Sequence, residues 1–508
     1  MRKFVYSSIV AAFLLAITAP GVMAERVVIL HTNDTHSQVD PDKNNLGGIL
    51  RRKVLIDSVR RVEQNVVLVD AGDAVQGSLF FTLFDGEVEQ KMMNELGYDI
   101  QILGNHEFDN GIEKLAAQYA DVNASLLSTN YDFTGTLLQD KFVPYVLRRV
   151  GDKRIAFIGV NVRPQGLIDS DNYPGVTYFG SIPTANAMAE YLKKNLAVDK
   201  VIALTHIGYN ESSENDPALA ASSEFIDIII GGHSHSGVYP GNPDGYATVV
   251  TNKVGAPVQI AQMGKSGLML GEIVIDFDKP DGEQITSRAI AVDSSLDRHI
   301  SASDEALLAP YRHRVDSISA IEIGTLATEM ESNSTMLSNF LSDWVKSTGD
   351  RLAGQKVDFA LLNKGGIRNS LPAGVITQGN IINMLPFNNR IVVVEISGEK
   401  LVELMDIIAS QDGQAVSAEV SGKYDRKARK MTSLKINGRN IDPGKRYVVA
   451  TIDYLWRGGD NMSPLSESTL IARSANLLYR DLIEEFTDGD FRGKTVKGDS
   501  KPRLSAVR

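Results

Sequence analysis

The sequence predicts an α/β protein made of two layered units in succession. Short Val- and Ile-rich runs alternate with amphipathic stretches from residue 26 onward, the pattern of buried strands separated by helices. A polar, helix-prone stretch over 294–319 interrupts that pattern, and the alternation then begins again. At 508 residues the chain is also longer than one compact core accommodates, so two domains are expected.

Taken in order, the first 24 residues stand apart. Arg2 and Lys3 precede an apolar run over 4–17, which ends in small residues and Val22-Met23-Ala24. A basic start, a short apolar core and a small-residue end predict a signal peptide over 1–24, cleaved after Ala24. The run falls short of the roughly 20 residues that span a bilayer. With no Cys anywhere, lipid attachment at cysteine, disulfides and thiolate ligands are all excluded. The expected mature protein is periplasmic or secreted and makes no membrane contact after cleavage. Cleavage takes the formal charge from −11 to −13, which disfavours a nucleic-acid polymer or an anionic membrane as partner. A small anionic substrate can still be drawn to a local positive site such as bound metal ions.

In the first unit, strands are expected over 27–30, 66–69, 100–103, 155–160, 201–204 and 225–230, with closing strands over 258–261 and 268–277. Helices are expected over 49–62, 86–96, 112–120 and 184–196. In the second unit, a helix over 336–345 leads to a strand over 357–362, and Thr377 is a helix N-cap. A strand over 391–396, a helix from Gly398, a hairpin at Asn437-Gly438 and a strand over 447–452 follow. The domain division read from this is 25–293, a linker helix over 294–319, and 320–508.

Five strand ends in the first unit share one grammar: an apolar run, an abrupt stop, then metal-capable side chains. They carry Asp34 and His36; Asp73; Asn105 and His106; His206; and His233 with His235. Five of the eight histidines sit here. In an open α/β sheet such strand ends converge on one edge, where ligands bind. Two divalent cations roughly 3.5–4 Å apart can clamp the attacking and leaving oxygens of an in-line phosphoryl displacement. Asp73, alone in its segment, is the candidate bridging carboxylate. The i, i+2 pairs Asp34/His36 and His233/His235 can each turn toward one ion. Imidazole with carboxylate suits Zn, Mn, Co or Fe. His106 follows a proposed ligand, so it is expected beside the ions, with Asp109 orienting its imidazole. A cationic His106 can then stabilise transition-state charge and donate to the leaving oxygen. Glu107 is given no role.

Asn33-Asp34-Thr35-His36, Gly72-Asp73, Gly104-Asn105-His106-Glu107-Phe108-Asp109, Thr205-His206 and Gly232-His233-Ser234-His235 resemble the motif series of calcineurin-like metallophosphoesterases. The leader and second domain narrow this resemblance to the secreted 5′-nucleotidase family, across the whole mature chain. It implies a four-layer metallophosphoesterase sandwich with a dinuclear centre, followed by a second α/β substrate-binding domain. The implied activity is metal-dependent hydrolysis of nucleoside 5′-monophosphates to nucleoside and phosphate. Cyclic nucleotides, UDP-sugars or other phosphoesters at the same site are the enzymatic alternatives. A periplasmic binding protein is the non-enzymatic one, and it predicts a broken metal motif; none is broken here. Many relatives carry Gln or Asn where this chain has His235.

In the second domain, Gly365-Gly366-Ile367-Arg368 resembles the family's Gly-Gly-Ile-Arg motif, which implies that Arg368 contacts phosphate. Leu385-Pro386-Phe387-Asn388-Asn389 resembles its Pro-Phe-x-Asn segment and implies that Asn389 lines the pocket. Tyr454-Leu455-Trp456-Arg457-Gly458-Gly459-Asp460 implies a Tyr454 that stacks on a base and an Asp460 that accepts from ribose hydroxyls. The loop over 411–417 carries no aromatic where relatives have a second one, and Arg390 is the only candidate for a second phosphate-binding Arg. The expected partner is a small-molecule nucleotide; the sequence sets no oligomeric state.

Overall fold

The structure is a computed structural model that describes residues 25–210 and 212–507, so the expected signal peptide lies outside the described residues. The first unit is a four-layer sandwich, as the resemblance implied. One sheet runs Ile285–Ala291, Met269–Asp276, Arg26–Thr32, Val66–Asp70, Ile100–Gln101, Ser125–Leu127 and Phe142–Val143. The other contains Gly237–Val238, Pro257–Met263, Ile228–Ile230, Lys200–Thr205, Lys153–Val160 and Tyr145–Val150, with Val249–Thr251 paired to its Pro257–Met263 strand.

Alternation along single strands builds the layers. Val27 and Ile29 face the second sheet and meet Phe157, Ile202 and Ile228 in the inter-sheet core. Val28 and Leu30 point the opposite way, onto Ile56, Met92 and Leu96 of the helices Ile49–Arg60 and Glu87–Leu96. The far face of the second sheet, Ala156, Ile158 and Ala203, is covered by Ala185, Ala189 and Leu192 of the helix Ser181–Leu196. A period of two with both faces apolar is what a strand buried on both sides requires.

Several strand expectations ran long; the one over 357–362 in the second unit is only Phe359–Leu362, and two lie near the candidate site. The strand expected over 225–230 is only Ile228–Ile230, because the Asp227 carboxylate takes the Val201 N–H at 2.8 Å instead of standing in a ladder. The strand expected over 100–103 pairs only at Ile100–Gln101, since the chain is already turning toward Gly104. The helix Leu79–Phe84 was not anticipated: six residues with one polar position, Thr82, are too short to show a 3.6 period. The closing strands belong to different sheets.

In the second unit, a five-stranded sheet runs Ala415–Val416, Phe359–Leu362, Arg446–Ile452, Ile391–Ser397 and Thr469–Arg473. The helix expected over 336–345 extends over Thr335–Ala353. Its Gly349 lies so close to the sheet that a Cβ there would come within 2.5 Å of Ala450. Thr377 caps its helix with both halves of a capping box, and Lys430–Ile436 turns at Asn437-Gly438 into Arg439–Asn440.

Between the units runs the helix Ala302–Ser319. Its Leu308 is buried in the helix-side core of the first unit, while Val315 and Ile318 pack on the core of the second. Leu79, from the first unit's short helix, is buried in that second core too. The two units therefore share apolar packing.

Candidate metal centre and substrate pocket

The candidate ligands gather at the ends of strands from both sheets, not along the edge of one open sheet. Asp34, His36, Asp73, Asn105 and His106 follow strands of the first sheet; His206, His233 and His235 follow strands of the second. The backbone turns sharply to bring them in. Asp34, His36, Asp73, His233 and His235 all have φ between 47° and 78°. Non-glycine residues avoid that region at a cost of roughly 1–2 kcal/mol each, and five together mark a site where geometry outranks local preference.

The side chains form three overlapping groups of ligand atoms: Asp34 with His36 and His235; His36 with Asp73 and His106; Asp73 with His206 and His233. His36 Nε2 and His235 Nε2 are 2.8 Å apart, and Asp34 Oδ1 lies 3.6 Å from the latter. Asp73 Oδ2 is 3.0 Å from His206 Nε2, and Asn105 Oδ1 is 2.9 Å from His233 Nδ1. Backbone carbonyls set two tautomers: Ala71 O accepts from His206 Nδ1 at 2.7 Å and Gln76 O from His36 Nδ1 at 3.2 Å. Each Nε2 then faces inward. Burial pushes the imidazoles of His36, His233 and His235 down, the last two to about 4 and about 3, so they remain neutral donors.

These residues fit divalent metal ions. Asp34 and Asp73 are 0% and 1% exposed, a costly burial without a cation. His206 Nε2, also buried, makes no hydrogen bond despite its nearness to Asp73. Asp73 belongs to two of the three ligand groups.

His106, which shares one ligand group with His36 and Asp73, has further partners of its own. Its Nδ1 donates to Asp109 Oδ2 at 2.8 Å, and its backbone N–H donates to Asp73 Oδ1 at 2.8 Å. Burial alone would lower its pKa; the Asp109 and Asp73 carboxylates outweigh that and raise it to about 9. Glu107, read as having no part, is the residue the sequence reading missed. It is 3% exposed and accepts from the N–H groups of Gly104 (2.6 Å), Asp73 (3.1 Å) and Ala74 (2.8 Å). It thus ties together the loops carrying Asp73 and His106. A carboxylate beside glycines on a tight turn was the available signal. Gly104 has no alternative, since a Cβ there would stand 2.1 Å from Asp73 Oδ1.

A cavity of about 570 Å³ opens from this cluster toward the second unit. Arg368, Asn389, Tyr454 and Asp460 all line it, with Asn363, Phe387 and Arg473. Tyr454 is more constrained than a free stacking platform. Gly459 covers one face of its ring, where a Cβ would come within 2.6 Å of three ring carbons, and its hydroxyl donates to Asp460 Oδ1 at 2.8 Å. Arg390 points elsewhere, to the carbonyl of Ala475, and the other arginines at the cavity are Arg457 and Arg473. In the loop without an aromatic, Gln411 Nε2 donates to Asp460 O at 2.6 Å.

Residues 27–237 match the calcineurin-like phosphoesterase family, and residues 318–467 match the 5′-nucleotidase C-terminal domain. A 5′-nucleotidase of Bos taurus is 30% identical over 440 residues, covering 79% of this chain and 75% of that one. The chain belongs to the 5′-nucleotidase family. A Homo sapiens 5′-nucleotidase is 29% identical over 517 residues, covering 91% and 88% of the two chains. Protein UshA of Salmonella pullorum is 26% identical over 547 residues, covering 98% and 99%. Among solved structures, a 5′-nucleotidase precursor from Thermus thermophilus superposes with a TM-score of 0.82 at 25% identity, covering 95% of this chain and 99% of that one. This member of the family is accordingly a hydrolase of phosphoric ester bonds, and its fold implies divalent metal ions.

Proposed function

We propose that the protein hydrolyses nucleoside 5′-monophosphates to nucleoside and phosphate at a centre of two divalent ions. The observation that carries the reading is the meeting of the ligand cluster, the His106–Asp109 pair and Arg368 on one cavity. Asp34, His36, Asp73, Asn105, His206, His233 and His235 would hold the ions, with Asp73 between them. The ions, when bound, would activate water and neutralise charge on the phosphoryl group. Arg368 holds the substrate phosphate, its guanidinium steadied against the Phe387 ring. His106, protonated through Asp109 and Asp73, stabilises the phosphoryl charge that grows in the transition state and gives its proton to the leaving 5′-oxygen. Asn389, Tyr454 and Asp460 receive the nucleoside, with Tyr454 against the base and Asp460 on the ribose hydroxyls.

The same reading assigns residues 1–24 to export, 25–293 to the catalytic domain, 294–319 to the linker and 320–508 to substrate binding. The test is turnover of a panel holding nucleoside 5′-monophosphates, 2′,3′-cyclic nucleotides and UDP-sugars, with Mn, Zn, Co or Fe added and bound metal counted. Preference for the 5′-monophosphates with two ions per chain is expected. Preference for another class would overturn the substrate, and one ion or none would overturn the dinuclear centre.

A further inference from the structure

His106 comes from the first unit, but its surroundings do not all come from there. The Phe387 ring of the second unit lies 5.9 Å from the His106 ring, centroid to centroid, with the planes 31° apart. The guanidinium carbon of Arg368 is 5.8 Å from the centroid of that same Phe387 ring. One residue further, Asn388 donates to Asn110 Oδ1 at 2.5 Å, next to Asp109 in the chain. Phe387 also lines a small hollow in the second unit together with Leu362, Ile367, Leu385, Asn389, Ile452 and Leu478. A single ring thus lies near both the proton donor and the phosphate-binding cation.

We infer that Phe387 is a positioning residue for the proton donor: its ring packs on the His106 imidazole, fixes its aim and keeps water from it. The inference rests on the hydrolytic role just proposed for His106. In the step concerned, a water oxygen bonds to phosphorus and the bond from phosphorus to the ester oxygen breaks. The electron pair of that bond goes to the ester oxygen, which takes the proton from His106. The proton released by the attacking water restores His106 by the end of the cycle. Excluding water strengthens the pull of a fixed donor on developing charge. Because Phe387 and His106 lie on different units, the donor is aimed only when the units are together.

The leaving group provides the test. A nucleoside 5′-alkoxide needs a proton as it departs, whereas the phenolate of p-nitrophenyl phosphate does not. Phe387→Ala is expected to lower kcat on the nucleoside 5′-monophosphate about 10- to 100-fold, with KM held within about threefold. On p-nitrophenyl phosphate kcat should fall less than about threefold, and Phe387→Tyr should recover most of the loss. His106→Ala should lose more on the nucleoside 5′-monophosphate than on p-nitrophenyl phosphate, where only its hold on the phosphoryl charge is missing. Should Phe387→Ala fail to fold, Phe387→Leu keeps the apolar contact without the ring and carries the same comparison. Equal losses on both substrates, or a loss confined to KM, would overturn the inference. If wild-type enzyme prefers a different alkyl phosphate, the substrate reading fails alone and the comparison is made on that ester. No turnover of any phosphoester would sink both.

Discussion

Asp73 is the residue on which the proposed centre turns, since two ligand groups share it and the loop of His106 and Glu107 holds it from both its side chain and its backbone. Asp73→Asn keeps its shape and loses its charge. Turnover should be abolished and bound metal reduced by elemental analysis; wild-type metal with near-full activity would refute the bridging role. His106→Ala should lower kcat by about 10²- to 10⁴-fold with both ions retained, and loss of metal would make it a ligand instead. Glu107→Ala strands three buried N–H groups, and should destabilise the fold by roughly 1–3 kcal/mol or more and weaken metal binding about 10- to 100-fold. At this scale the sequence was readable where a residue's own chemistry nominates it, as with Asn105, His106 and Asp109, which the fold brings to one cavity. Glu107 was not, because its partners are the backbone N–H groups of Asp73 and Ala74, far back in the chain.

Among the elements, strand existence was easier to read than strand end. Apolar runs announce a strand, but whether Asp227 joins a ladder or accepts from a neighbouring strand is decided across the sheet. The helix Glu87–Leu96 carries a further consequence. Its Glu89 is 3% exposed, accepts from Ser37, and is pushed up by burial to about 7 from an ordinary value near 4.5. A carboxyl raised on folding adds stability below its unfolded pKa, and that contribution is lost as pH rises through the folded one. Glu89→Gln, which cannot ionise, should therefore match wild-type Tm at pH 4 and exceed it by several degrees at pH 8. No change in the Tm difference with pH would show that folding does not raise the Glu89 pKa.

Across the molecule, the two units are clasped at the mouth of the cavity. Arg457 of the second reaches Asp169 at 2.6 Å and Asp171 at 3.0 Å in the first. Beside it the Tyr454 hydroxyl lies 3.2 Å from the Leu167 carbonyl, and the Asn461 N–H donates to the Gly166 carbonyl. Breaking a largely buried pair leaves Asp169 uncompensated. Arg457→Ala should raise KM by about 3- to 10-fold while metal content is unchanged; an unaltered KM would mean that the clasp does not shape the bound state.

By itself the sequence determined the α/β class and the two units and nominated the candidate ligands and the His106–Asp109 pair, because apolar periodicity and side-chain chemistry are local properties. Tertiary structure alone decided that the ligands come from two facing sheets, that Glu107 binds their loops, that Arg390 lies outside the cavity, and that Phe387 reaches His106. Each of these depends on contacts between segments far apart in the chain, and no local pattern records which distant atoms will meet.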